Sequence, residues 1–342
     1  MSSSEVTFKW RQLSVANAPL PRSSHDVTVV DKKLILLWGE HEPRQPIPEK
    51  DEINTLDLSS LGSSLESLSW STSPTSGSRP APRLAHAQAV VGSSLYIFGG
   101  REGVSMGEGA LNDMYVLDTS SFAWTLVSPE GAVPEARSFH KMVGTEKGLY
   151  LFGGCAAVGR LNDFWFYSIA DSQWTQLPSP PATPRGGPSL SATSSNTHVY
   201  LATGYSGSEN DDTYVFDVAA GTWETVVPFG SGQFRARSVC PSVLLQDGRY
   251  FVVACGEVST SDRGHEGAGD FASDIVVLRE GKTVQYDMAT GSDAITPRGW
   301  TAMAKIDERT AVLFGGLAGN DEMPVRLNDT WILEIVDNAA AE

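Results

Sequence analysis

The sequence has only three cysteines, no long apolar run and too few basic side chains to balance its acidic ones. An odd cysteine count argues against a disulfide framework, so we expect a reducing, cytoplasmic location. No apolar run approaches the roughly 18 residues of a membrane-spanning helix, and residues 1–9 lack the basic and apolar segments of a signal peptide. The formal net charge of −16 disfavours nucleic acid and anionic membranes as partners.

Turn-forming residues are abundant instead. The 33 glycines and 19 prolines favour many short strands over long helices. An arginine that begins a strand recurs along the chain at intervals close to the ~50 residues of one propeller blade. The six repeats start near Arg22, Arg83, Arg137, Arg185, Arg237 and Arg298.

Each repeat continues in the same order, with an apolar run that ends in glycine, a strand led by Asn or Asp, and a strand with a tryptophan. The fifth repeat lacks the tryptophan, and Lys282–Tyr286 is its predicted outer strand. The sixth repeat has no fourth strand after it, whereas residues 8–13 near the N-terminus carry the missing pattern around Trp10. The order resembles kelch repeats. It predicts an all-β, six-bladed kelch β-propeller over residues 1–342, one domain whose N-terminal strand closes the last blade.

The first two strands of each blade are antiparallel neighbours, so the repeat arginines and the residues after the glycines should lie at one mouth of the channel. The second set is Glu40, Arg101, Arg160, Tyr205, Glu257 and Leu317. The repeat arginines either tie strand ends to carbonyls or bind an anion. Arg101 and Arg160 lie outside the repeated position, which makes them candidate ligands for a sulfate, phosphate or carboxylate. The repeated histidines His25, His86 and His140 are predicted packing residues.

One glycine-rich loop, in the fifth repeat, carries Glu257, Asp262 and His265. Two carboxylates and an imidazole suit a non-haem Fe(II) centre, although Mn or Zn is compatible with the same residue types. The spacing alone also fits a solvated polar loop.

The loop and the repeats together resemble the plant specifier proteins, kelch propellers that redirect glucosinolate breakdown. Their iron motif is Glu-x-x-x-Asp-x-x-x-His, and here Glu257 and His265 match it at the right spacing. Ser261 occupies the family's aspartate position, and Asp262 follows one place later. The resemblance therefore implies Fe(II) on Glu257, Asp262 and His265, with the middle ligand displaced.

Further positions match the pocket of that family. Arg101 and Arg160 fall where it has two pocket arginines with a catalytic role, and Phe139 and Trp300 match pocket aromatics. Where that family has a lysine in its first blade, this sequence has Arg44 or Gln45 near the corresponding position. We expect Glu40, Arg44, Phe139 and Trp300 to contact the substrate.

Three functions follow as hypotheses. The resemblance implies an Fe(II)-dependent, lyase-like protein that converts a sulfated thiohydroximate, supplied by a thioglucosidase, to a nitrile. The shifted aspartate leaves open a metal-dependent kelch enzyme for another small anionic or sulfur-containing metabolite. A non-enzymatic module that binds a protein partner through its arginine-rich mouth is the third hypothesis, because a fold alone does not determine function.

Overall fold

A computed structural model describes residues 6–49, 51–63, 67–103, 109–226, 235–279, 282–286 and 294–337. These residues form six antiparallel four-stranded sheets, the predicted all-β propeller, with the short strands Val15–Ala16 and Ser76–Gly77 extending the outer edges of blades 1 and 2. A further two-stranded sheet, Glu257–Ser259 with Asp270–Phe271, lies in the blade 5 loop. No helix in these ranges is long and apolar enough to cross a membrane.

The blades are numbered in chain order, with their strands given from the channel outwards. Blade 1 contains Asp26–Val30, Lys33–Leu37, Glu52–Asp57 and Leu68–Pro74, and blade 2 contains Ala87–Val91, Ser94–Phe98, Met114–Asp118 and Ala123–Val127. Blade 3 contains Lys141–Thr145, Gly148–Cys155, Arg160–Ser168 and Gln173–Leu177, and blade 4 contains Ser189–Ala192, His198–Ala202, Thr213–Asp217 and Thr222–Val226. Blade 5 contains Ser242–Leu245, Tyr250–Ala254, Ile275–Arg279 and Lys282–Tyr286, and blade 6 contains Ala302–Lys305, Thr310–Gly319, Pro324–Asp337 and Val6–Leu13.

Two predicted outer strands are confirmed by these pairings. Lys282–Tyr286 pairs with Ile275–Arg279 in blade 5. Val6–Leu13 pairs antiparallel with the third strand of blade 6, from Val6 opposite Asp337 to Leu13 opposite Thr330. The N-terminal strand therefore closes the ring and covers the edge that blade 6 would otherwise expose.

The repeat arginines are structural. Arg137 is fully buried and donates to both carboxylate oxygens of Asp163 at 2.7 Å and to the carbonyl of Gly153 at 3.0 Å. Bidentate pairs of this kind combine charge attraction with fixed geometry. The other five arginines make equivalent pairs, with Glu49, Asp113, Asp212, Asp274 and Asp329. The repeat arginines thus join the strands within each blade, and the interpretation that they tie strand ends to carbonyls is correct.

Neighbouring blades are joined by backbone hydrogen bonds that run around the channel. The residue two places after each repeat arginine donates to the equivalent carbonyl of the preceding blade, at 2.8–3.1 Å, and the six bonds form a closed ring. We call this ring the inner hydrogen-bonded ring, and its residues are Ser24, Ala85, Phe139, Gly187, Val239 and Trp300. In a second ring, the last glycine of the apolar run in each repeat donates its N–H to the carbonyl of the next blade's repeat arginine, for example Gly154 to Arg185 at 2.9 Å.

Aromatic contacts also join the blades. His86 lies edge-on to Trp38 of the preceding blade, and His140 lies edge-on to Phe98. Trp174 packs against the same Phe98. All three repeated histidines are buried in such contacts, His25 against Phe314, as expected of packing residues.

Candidate functional site

A cavity of about 280 Å³ opens at the mouth where the second strands end. Phe139 and Trp300, two members of the inner hydrogen-bonded ring, line it together with Arg160, Tyr205 and Glu257. Thr260, Ser261 and Gly264 of the blade 5 loop complete one wall. Four of the predicted site residues therefore share one cavity: Phe139, Arg160, Glu257 and Trp300.

The residue after the strand-ending glycine is equivalent in all six blades, because each forms an isolated bridge with the residue after a repeat arginine. These residues are Glu40, Arg101, Cys155, Tyr205, Glu257 and Leu317. In blade 3 the equivalent residue is Cys155, which lines the cavity and pairs with Arg160 across the hairpin. Cys155 follows Gly154 directly, so the repeat pattern itself could have identified it.

Two guanidinium groups pack on aromatic rings beside the cavity. Arg160 is half-buried and lies 4.6 Å from the ring centre of Tyr205. Arg101 is fully buried, 5.5 Å from the ring centre of Phe139. Burial lowers the pKa of Arg101, and the charge of Glu40 acts in the opposite direction. Stacking holds both cations in place, but Arg160 is the one that lines the cavity.

Glu40 and Arg44 belong to the blade 1 side of the mouth. The Glu40 carboxylate is buried and accepts hydrogen bonds from the hydroxyl of Ser24 at 2.7 Å and the backbone N–H of Arg44 at 2.5 Å. The Arg44 guanidinium approaches Gly264, where an added Cβ would lie 3.8 Å from its Nη2 atom. Arg44 therefore reaches across the mouth to the blade 5 loop, whereas Glu40 is engaged by its own blade and by Arg326 of blade 6, 3.9 Å away.

Glu257 is the most perturbed acid of the cavity. It is 2% exposed, and its Oε1 atom has no hydrogen-bond partner among the described residues. Burial, followed by the charge of Glu209, raises the pKa of Glu257 to about 8; a hydrogen bond from the backbone N–H of Ser261 acts in the opposite direction, and the charge of Asp321 adds to the rise. A buried carboxylate oxygen with no donor is costly unless a proton or a cation satisfies it.

The other two predicted metal ligands lie in the same loop. Asp262 is exposed and is not among the residues that line the cavity, whereas Ser261 is. His265 lies in the 3₁₀ turn Gly264–Glu266, and its side chain falls outside the described part of the chain. Among the side chains that are described, no three His, Cys, Asp or Glu groups converge as metal ligands.

Asp321, on the blade 6 hairpin, holds this loop in place. It accepts hydrogen bonds from the hydroxyl of Ser261 and the N–H of Ala268, and its backbone carbonyl accepts one from Arg263. Gly267 is required at this point, because a Cβ there would lie 2.2 Å from both Asp321 Oδ1 and Ser261 Oγ. The sequence carries no local signal for Asp321, which is far from the loop along the chain.

Comparison with known proteins agrees with the repeats. The description "KLHDC2/KLHL20/DRC7 Kelch-repeats domain" matches residues 48–256. The chain belongs to the kelch-repeat family. Its fold is shared with the solved structure of YjhT, at a TM-score of 0.69 and 14% identity over 95% of this chain and 99% of that one.

Of the relatives of this kelch chain, one is named for an enzyme activity and others only for their kelch domain. It is 27% identical to "N-(sulfonatooxy)prop-2-enimidothioate sulfolyase" of Thlaspi arvense, over 83% of this chain and 84% of that protein. It is 29% identical to "Kelch domain-containing protein 3" of Bos taurus, over 78% of this chain and 70% of that protein, and equally to the Homo sapiens protein of the same name.

Proposed function

We propose that this kelch protein is an Fe(II)-dependent, lyase-like protein of the specifier type, acting on a sulfated thiohydroximate supplied by a thioglucosidase. The observation that carries the proposal is the cavity itself, which is lined by the guanidinium of Arg160 and by the buried Glu257, one of whose carboxylate oxygens has no hydrogen-bond partner among the described residues. The sulfolyase relative from Thlaspi arvense supports this substrate class by its name.

Arg160 would bind the sulfate, because a guanidinium matches the geometry of a tetrahedral oxyanion. Arg101 would add positive charge from behind Phe139. When the N–O bond breaks, sulfate leaves with the electron pair, and both guanidinium cations stabilise the negative charge that develops on it. The C–S bond then breaks, neutral sulfur departs and the carbon–nitrogen bond becomes a nitrile.

Phe139 and Trp300 would form the apolar surface under the substrate side chain and exclude water from it. Arg44 would cover the opposite side of the mouth.

A metal ion fits the acidic end of the cavity, because Glu257 Oε1 is buried without a donor among the side chains and backbone that the structure describes. Glu257 and His265 would hold it, together with a second carboxylate, for which the loop spacing offers Asp262. Bound Fe(II) would supply Lewis-acid polarisation of the substrate sulfur.

The test uses the full chain, Fe(II) under anaerobic conditions and a thioglucosidase-treated allyl glucosinolate, with nitrile measured by gas chromatography. We expect nitrile above the protein-free control, and a loss of that excess in Glu257→Gln. Glu334→Gln, an exposed acid in the outer part of blade 6, is the matched control. Equal nitrile with and without protein, or in Glu257→Gln and wild type, would contradict the proposal.

A protein-binding function is the second candidate. The hairpins of blades 3 and 6 carry exposed apolar side chains at their tips, with Val158 92% and Met323 70% exposed. The Kelch domain-containing protein 3 relatives are similar over most of this chain. Isolation of one stoichiometric partner that is lost in a Val158→Asp, Met323→Asp variant would favour this function over the enzyme.

A further inference from the structure

Two buried carboxylate oxygens near the mouth lack a hydrogen-bond partner among the described residues: Glu257 Oε1 and Glu209 Oε1. They belong to neighbouring blades, since Glu257 follows the second strand of blade 5 and Glu209 precedes the third strand of blade 4. An ionised carboxylate away from water requires a donor or a cation. A single cation bound between the two blades would satisfy both oxygens.

The backbone places the two glutamates close together. Asn210, next to Glu209, accepts a hydrogen bond from the N–H of Arg237 at 3.1 Å. The following residue, Ser238, exchanges two backbone hydrogen bonds of 2.9 Å with Glu257. One extended segment therefore separates them, a span of two strand spacings or ~10 Å, which two glutamate side chains can bridge.

The other acids of the region are less suited to a second ligand. Asp262 is exposed, and neither it nor Glu209 is among the residues that line the cavity, so exposure is what separates the two acids. Asp321 Oδ1 already accepts hydrogen bonds from Ser261 and Ala268. Glu209 is half-buried and its free oxygen is enclosed, which is the condition that a bound cation relieves.

We infer that Glu209, from blade 4, supplies the second carboxylate of a divalent-cation site whose first carboxylate is Glu257. Oxygen ligands of this kind suit Fe²⁺ and Mn²⁺. The inference rests on the proposed function, because Glu257 is the metal ligand proposed there. It differs in assigning the second carboxylate ligand to a neighbouring blade instead of to the loop residue Asp262.

The experiment is a Mn²⁺ titration of the full-length protein, in which electron paramagnetic resonance follows the free ion. We expect about one equivalent to bind, and Glu209→Gln to weaken binding by more than ~10-fold, the smallest loss typical when even an outer partner of a metal is removed. Asp211→Asn, an exposed acid two places further on with the same change in charge, should bind as wild type does. Asp262→Asn compares the loop carboxylate with Glu209: weaker Mn²⁺ binding in Asp262→Asn but not in Glu209→Gln would assign the second ligand to Asp262 and overturn the inference. Thermal melts of each variant establish that the fold is intact.

Glu209→Gln that binds Mn²⁺ with wild-type affinity overturns the inference. If Glu257→Gln loses binding while Glu209→Gln keeps it, the inference fails and the proposed metal-dependent function stands. If the wild type binds no Mn²⁺, the inference fails, and the nitrile assay with Fe(II) decides the proposed function separately.

Discussion

Five of the six residues in the inner hydrogen-bonded ring are not glycine, yet they adopt the left-handed conformation, among them Phe139 with φ of 54° and Trp300 with φ of 47°. This conformation costs an L-residue roughly 1–2 kcal/mol. It persists because each backbone N–H and carbonyl in the ring is bonded to a neighbouring blade. The same conformation presents both aromatic side chains to the cavity. The ring thus closes the propeller and positions the surface on which a substrate would rest.

The buried histidines make stability depend on pH. Burial lowers the pKa of His25 and of His86 to about 3, and that of His140 well below its usual value. The unfolded chain binds these protons near pH 6.5 and the folded chain does not, so stability is full above that pH and falls as pH decreases. We expect a loss of about 1 kcal/mol per pH unit for each histidine between pH 6.5 and pH 5, measured by urea unfolding.

Buried Asp26 opposes this loss of stability. Burial raises its pKa, so as pH falls the carboxyl is protonated at a higher pH in the folded state than in the unfolded chain. Glu257 acts in the same direction, because its raised pKa of about 8 lets the folded state take up a proton at a higher pH than the unfolded chain does. Three histidines outweigh these two carboxyls, so the free energy of unfolding should still decrease as pH falls. His86→Leu should reduce the slope of the unfolding free energy against pH by the contribution of about one titrating proton. His41→Gln, at an exposed histidine, should leave that slope unchanged. A free energy of unfolding that is constant from pH 7 to pH 5 would contradict this account.

At the scale of the blade, the buried ion pair is the unit that joins the first strand to the third. Asp163→Asn would remove the charge opposite Arg137, which is fully buried, and leave the guanidinium without its anion. We expect a loss of about 3 kcal/mol in the free energy of unfolding, because breaking a buried ion pair leaves an unpaired charge in the interior.

The matched control is Glu334→Gln in blade 6, where Arg11 and Glu334 lie 3.8 Å apart and are both more than a third exposed. An exposed pair is worth about 0–1 kcal/mol. If urea unfolding gave similar losses for the two variants, the arginines would not be the blade's structural links.

The blades were predictable from the sequence because each strand is specified locally, by an arginine, a glycine or a tryptophan at a fixed place in the repeat. Cys155 was predictable on the same ground, since it follows Gly154 as Arg101 follows Gly100. Glu209 and Asp321 were not. Glu209 approaches Glu257 from blade 4, and Asp321 binds the loop residue Ser261 from blade 6. Proximity between loops of different blades depends on ring closure rather than on local pattern.

At the scale of the whole molecule, the N-terminal strand holds the two ends of the chain together. Its residues Phe8 and Trp10 are buried in one apolar cluster with side chains of blades 5 and 6, and Phe8 lies edge-on to Tyr250. The cluster therefore spans the seam between the last two blades. A ring with this seam open would expose the edge of the strand Pro324–Asp337.

Trp10→Ala should consequently weaken the whole propeller and not one blade alone. We expect a loss of about 3–5 kcal/mol, typical of a large aromatic removed from a core, in a single urea transition followed both by tryptophan fluorescence and by circular dichroism. Gln12→Ala, on the exposed face of the same strand, should change stability by less than ~0.5 kcal/mol. A second, separate transition in Trp10→Ala would mean that blade 6 opens while the remaining blades stay folded, because the inter-blade hydrogen bonds would then suffice without closure of the ring.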